Sequence, residues 1–210
     1  NNLALRDYQL RSVDAVVSAL PRRPILVAPT GSGKTVMAAA LVNRLNVPTL
    51  WLAHRKELID QAASHVFAAG LNPGIIMAGC PPFPLAQVQV ASVQTLVRRQ
   101  PPPAGLIVID ECHHATADSY RTVLAHYPAA AVVGLTATPF RLDGRGLGDL
   151  FGEIVVAAWP GVLCDVGVLH RPKVWASSSP DLRGIKVIGG DYQLGALARR
   201  TNTGELNADI

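Results

Sequence analysis

The stretch Ile25-Leu-Val-Ala-Pro-Thr-Gly-Ser-Gly-Lys-Thr35 constrains this chain more than any other. A short apolar run there leads into a glycine-containing loop, and the loop leads into a helical pattern headed by Lys34-Thr35. A brief apolar run bounded by a turn reads as a buried strand. Glycines at Gly31 and Gly33 let successive backbone N–H groups turn inward, and the helix start adds partial positive charge, so the loop suits an anion such as phosphate. An ordinary glycine turn before a helix would not require Lys-Thr at that place.

The rest of the sequence repeats the strand-then-helix rhythm. Apolar runs at Pro24–Ala28, Thr49–Ala53, Gly74–Met77, Val88–Ala91, Leu106–Ile109 and Ala131–Leu135 read as strands. Helical patterns lie between them at Tyr8–Leu20, Lys34–Leu45, Lys56–Ala69, Val93–Arg99 and Ser119–His126. Such alternation predicts an α/β fold, a mostly parallel sheet with helices on both faces. Composition agrees: 49% of residues are hydrophobic and only 16% charged, against about 25% charged in an ordinary globular chain.

The longest apolar stretch, Ile154–Leu169, is broken by Pro160, Gly161 and Asp165, so it falls short of the roughly 18 residues a membrane span needs, and no membrane partner is expected. Cys80, Cys112 and Cys164 are odd in number and far apart, which argues against a disulfide framework and for a reducing cytoplasm. Cys112-His113-His114 lacks the second Cys/His pair of a zinc site. A net charge of +4 permits nucleic-acid binding without demanding it.

After Pro139 the rhythm changes. A Gly-rich stretch to Gly152 precedes the apolar stretch to Leu169, a strand is expected at Pro172–Ala176, and Ser177–Pro180 reads as linker. A new helical pattern at Tyr192–Arg200 finds no partner for its apolar side before the chain stops. The expected organisation is therefore one domain over residues 1–176, a linker over 177–191, and the start of a second, truncated domain over 192–210. An opening Asn instead of Met fits a processed chain or an excised piece.

Leu106-Ile-Val-Ile-Asp-Glu-Cys-His-His114 delivers Asp110 and Glu111 at the carboxyl end of an apolar strand, where ligands bind in open α/β sheets. Paired acids at that place suit a divalent cation and a positioned water, the two needs of phosphoryl transfer. Helix capping is the plainer alternative for an isolated Asp-Glu.

Asp110-Glu-Cys-His113 resembles the DECH form of motif II in superfamily 2 helicases, and the remaining motifs of that family follow in order. Ala28–Thr35 resembles motif I, Ala53–Gln61 motif Ia, Ala91–Leu96 motif Ib, and Thr136-Ala-Thr-Pro-Phe-Arg141 motif III, while Leu5–Gln9 resembles the adenine-reading segment. The Phe-Arg after Thr-Ala-Thr-Pro and Gly167-Val-Leu-X-X-Pro172 look closest to the RadD-like and type III restriction-subunit branch.

The resemblance implies a RecA-like P-loop fold and ATP with Mg²⁺ as ligands. It implies that Thr30, Gly31, Ser32, Gly33, Lys34 and Thr35 hold the phosphates, with Thr35 and Asp110 on the metal and Lys34, Asp110 and Glu111 in catalysis. Gln9 would read the base beside Arg6. Arg55, Ser92, Gln94 and Thr95 would grip polynucleotide phosphates, DNA being placed ahead of RNA. Thr136 and Thr138, with His113 or its neighbour His114, would link the two sides.

Two RecA-like domains close on ATP in that superfamily, so turnover is expected to need a second domain that nothing after Asn202 supplies. The function expected is an ATP-dependent helicase or translocase. An ATP-controlled binding switch, or a restriction or repair subunit that unwinds nothing, is the alternative. A P-loop ATPase unrelated to nucleic acid would leave Thr136–Pro139 and Ala53–Gln61 without a purpose.

Overall fold

In the computed structural model the chain divides into two compact units, Asn1–His170 and Arg171–Ile210. Residues 4–81, 83–115, 118–140, 146–171, 182–185, 187–188 and 191–201 are described. The expected strand at Pro172–Ala176, and Arg141 of the motif III pattern, lie outside them.

The first unit is built on seven strands: β1 (Pro24–Val27), β2 (Thr49–Ala53), β3 (Pro73–Ile76), β4 (Val88–Ser92), β5 (Leu106–Ile109), β6 (Ala131–Thr136) and β7 (Glu153–Val156). Their order in the sheet is β3-β4-β2-β5-β6-β1-β7, and every pairing is parallel. The expected α/β class, a mostly parallel sheet with helices, therefore stands. Six strands fall where apolar runs predicted them, within a residue at each end.

Parallel strands need crossovers, and helices supply them. Helices α1 (Asp7–Ala19), α2 (Lys34–Leu45) and α3 (Lys56–Ala68) cover one face, where Val13, Val16, Met37, Leu41, Trp51, Ile59, Val66 and Val108 pack together. The short α4 (Val93–Leu96) and α5 (Asp118–Ala125) cover the other, over Leu50, Leu52, Leu96, Ile107, Ile109, Tyr120 and Val123. Burial on both faces explains why β2 and β5 are apolar throughout: every residue of each is buried.

β7 and the helix after it, α6 (Pro160–Asp165), are absent from the sequence reading. Among the described residues, β7 is a four-residue edge strand paired with β1, and its apolar residues Ile154 and Val156 are exposed. It therefore merges with the apolar run that follows. In the second unit, β8 (Val187–Ile188) pairs antiparallel with β9 (Asp191–Tyr192), ahead of α7 (Leu194–Thr201). Tyr192, expected in a helix, is thus in a strand.

Candidate functional site

Parallel strands present all their carboxyl ends at one edge of the sheet, and the order β4-β2-β5-β6-β1 sets out that edge. Ser92 closes β4, His54 and Arg55 follow β2, Asp110 and Glu111 follow β5, Thr136 closes β6, and the glycine loop follows β1. One strand, β6, separates the acids from the loop. Its last residue, Thr136, is fully buried and registers with Val27, and its carbonyl accepts from the Ala28 N–H at 3.1 Å.

Gly33 caps α2 with φ 86°, and a Cβ there would lie 2.5 Å from Gln9 Nε2. Backbone angle and close approach both demand glycine. The buried Ser32 donates from its N–H and from its Oγ to the Pro29 carbonyl, at 3.1 and 2.6 Å. Lys34 Nζ donates to the Ala28 carbonyl at 3.2 Å. Thr30 and Gly31 are exposed and Thr35 is half-buried on the first turn of α2. A Leu169 methyl carbon lies 3.2 Å from where a Gly31 side chain would begin.

Gln9 does not hang free at the surface. It is buried, with Nε2 on the Ser32 carbonyl at 3.0 Å and Oε1 accepting from the Arg6 N–H at 2.9 Å. Each end of the amide keeps one further hydrogen-bonding valence. Tyr8 donates its hydroxyl to the same Ser32 carbonyl at 2.6 Å, so the start of α1 is tied twice to the phosphate loop. Arg6 is exposed beside it.

Glu111 takes left-handed angles, φ 46° and ψ 55°, and makes no side-chain cap bond. A non-glycine residue held there is strained, and such strain gathers where function requires a particular orientation. The capping alternative has no bond to support it. Burial lifts the Asp110 carboxyl above the usual carboxylate range, and the Glu111 charge adds to the lift, while the Glu111 N–H and Lys34 act in the opposite direction. Two adjacent acids with Lys34 as counter-charge fit a divalent cation.

A carboxyl whose pKa is raised on folding destabilises the folded chain at pH above that pKa, and stops doing so below its unfolded value. Asp110→Asn is therefore expected to raise the melting temperature at pH 7.5, without nucleotide or magnesium. An unchanged or lower Tm by calorimetry would show that burial costs this carboxylate nothing.

The thiol of Cys112 is pushed up by burial and by both acids, so it stays protonated under Gly134, where a Cβ would meet its Sγ at 2.7 Å. His113 Nδ1 lies 3.0 Å from Thr136 Oγ1 and 3.4 Å from Glu111 Oε2. Thr136 donates its single hydroxyl proton to the Thr138 carbonyl at 2.9 Å and accepts from the Thr138 N–H at 3.1 Å.

Toward the other end of the edge, Ser92 Oγ donates to Gln94 Oε1 at 2.9 Å, and Gln94 Nε2 donates to the His54 carbonyl at 3.3 Å. Ser92 makes no helix-cap bond. Arg55 is exposed at the head of α3, and Thr95 is half-buried. Sequence reasoning missed a groove of about 580 Å³ beside the phosphate loop, walled by Arg6, Tyr8 and Arg11 of one segment and Trp159, Val162 and Val166 of another. No periodicity announces it, because its second wall is the unrecognised α6.

Residues 2–141 match the family described as type III restriction enzyme, res subunit. The putative ATP-dependent helicase IRC3 of Saccharomyces cerevisiae is 34% identical over 98% of this chain and 34% of its own length. The DNA 3'-5' translocase XPB2 of Sulfurisphaera tokodaii is 31% identical over 69% of this chain and 33% of its own. The UvsW helicase of bacteriophage T4 superimposes with a TM-score of 0.58 at 24% identity, covering 72% of this chain and 59% of that one. The chain thus spans about a third of the length of these curated relatives. With its phosphate loop, paired acids and seven-stranded parallel sheet in one ordered edge, this chain belongs to the type III restriction enzyme res-subunit family, within the RecA-like superfamily 2 helicases.

Proposed function

We propose that this chain is the first, ATP-binding motor domain of a cytoplasmic helicase or translocase that acts on DNA and works with a second RecA-like domain. The observation that carries this reading is the order of groups along the edge. Phosphate loop, Thr136, acid pair and Arg55–Ser92 group follow one another on neighbouring strands, so one side takes a triphosphate and the other a polynucleotide backbone.

The loop N–H groups from Thr30 to Thr35 hold the phosphates, and Lys34 moves from the Ala28 carbonyl to the β and γ phosphates. Glu111 turns a water toward the γ-phosphorus and takes its proton, so that ATP and water become ADP and phosphate. Thr35 and Asp110 would hold Mg²⁺, which when bound neutralises charge developing on the phosphate oxygens. Gln9, with its spare donor and acceptor, reads the edge of adenine beside Arg6, and Trp159 closes the groove on the far side. Arg55, Ser92, Gln94 and Thr95 contact phosphates of one strand without reading sequence. His113, Thr136 and Thr138 join the two sides.

In full-length protein, ATP turnover is expected to rise with single-stranded DNA, and the DNA affinity to fall steeply as salt increases. Lys34→Ala is expected to weaken ATP binding by about 10²-fold or more, as loss of a charge partner to a phosphate does, while leaving DNA binding in place. Salt-dependent DNA binding with no effect of DNA on turnover would leave a binding switch; no DNA binding at low salt would end the reading.

A further inference from the structure

Three imidazoles stand in a row between the two sides of the edge, and the function proposed above gives a role to His113 alone. His54 follows β2, directly before Arg55. Its ring centroid lies 4.5 Å from that of His114, at 59°. The His114 centroid lies 4.1 Å from that of His113, at 46°. His113 in turn reaches Thr136 and Glu111, and the His54 carbonyl takes the Gln94 amide that is tied to Ser92. Contacts thus run without a break from the polynucleotide side to the water-positioning acid.

The row is poorly explained as packing. Among the described residues, His54 Nδ1 is buried with no hydrogen-bond partner, an arrangement folded proteins seldom keep without use. A Leu or Phe would fill the same space with no orphaned nitrogen. Burial, then the neighbouring His114 and Arg55, lower the His54 pKa, and burial and His113 do the same for His114. Both rings are neutral near pH 7, so they touch without repelling and can shift together.

We propose that His54 and His114 are positioning residues that pass the presence of a polynucleotide phosphate on Arg55 to Glu111 and Thr136. Movement of the β2–α3 junction displaces the His54 ring, His114 follows by ring contact, and His113 changes its place against Thr136 and Glu111. This relay rests on the motor function proposed above.

The experiment uses full-length protein and reads ATP turnover with and without saturating single-stranded DNA, together with DNA Kd, ATP KM and melting temperature. For His54→Ala, turnover without DNA, ATP KM and DNA Kd are expected to stay within about twofold, while stimulation by DNA falls by about 5–10-fold, the usual size of coupling between sites. His114 is exposed, so His114→Ala cuts the row with little risk to folding, and the same loss is expected. The double variant is expected to lose no more than either single one, as members of one path do. His54→Phe, which keeps a ring in the row, is expected to recover at least half of the stimulation.

Normal stimulation in His114→Ala would overturn the relay. So would an equal loss of turnover with and without DNA in both single variants, which marks a structural role. Wild-type protein whose turnover ignores DNA would instead fail the motor reading, and the relay with it.

Discussion

Glu111→Gln in full-length protein is expected to leave ATP affinity within about twofold and to cut turnover by about 10²–10⁴-fold, the range a positioned base supplies. The amide keeps the shape and can still accept from a water, but it cannot take the proton. The backbone supports this assignment. Glu111 is held in left-handed angles with no capping bond to show for them, and its side chain is 27% exposed, so the carboxylate is available at the edge. Its neighbour Asp110 is turned inward and buried, which divides the labour between the two acids. Single-turnover release of phosphate, beside equilibrium nucleotide binding, checks the result. Normal release by Glu111→Gln would remove this residue from the water-positioning role.

The second large effect concerns what lies opposite the edge. Turnover by these 210 residues alone is expected to lie about 10³–10⁵-fold below that of a protein in which a second motor domain is supplied, the range an arginine delivered to the γ-phosphate contributes. Among the described residues, Lys34 lies at the loop and Arg6 and Arg11 line the groove at the base end. Binding should survive the separation, because the loop, Lys34 and the acid pair are all present on one unit. Nucleotide affinity and steady-state phosphate release, measured on this chain and on the full-length protein, decide it. Comparable turnover in the two would mean that this unit completes its own site.

Most of the edge was legible in sequence because its parts are local. β1, the glycine loop and α2 are consecutive, and so are β5 and the acids, and both strands are buried on two faces and therefore written as unbroken apolar runs. The motifs between them name their own residue types. What escaped depends on adjacency that only the crossovers create. β2 lies beside β5 in the sheet, and that alone brings His54 to His114. Gln9 was legible as a candidate base reader, but the bond to Ser32 that fixes its amide depends on the packing of α1 against α2. β7 is short, on an edge and apolar on its exposed side, so its alternation carried no polar partner to mark the period.

The bonds that Ser32 and Lys34 make to the carbonyls of Pro29 and Ala28 bear on selectivity among anions. An incoming ligand has to displace internal partners before it can be grasped, so a small oxyanion such as free phosphate or sulfate, offering few contacts in return, is at a disadvantage. In the function proposed, a nucleoside triphosphate would engage the loop, the lysine and the groove near Arg6 at once, and such a multipoint guest would recover what opening the loop gives up. The turn is thus a filter as well as a cradle, discriminating by the number of simultaneous attachments rather than by charge alone.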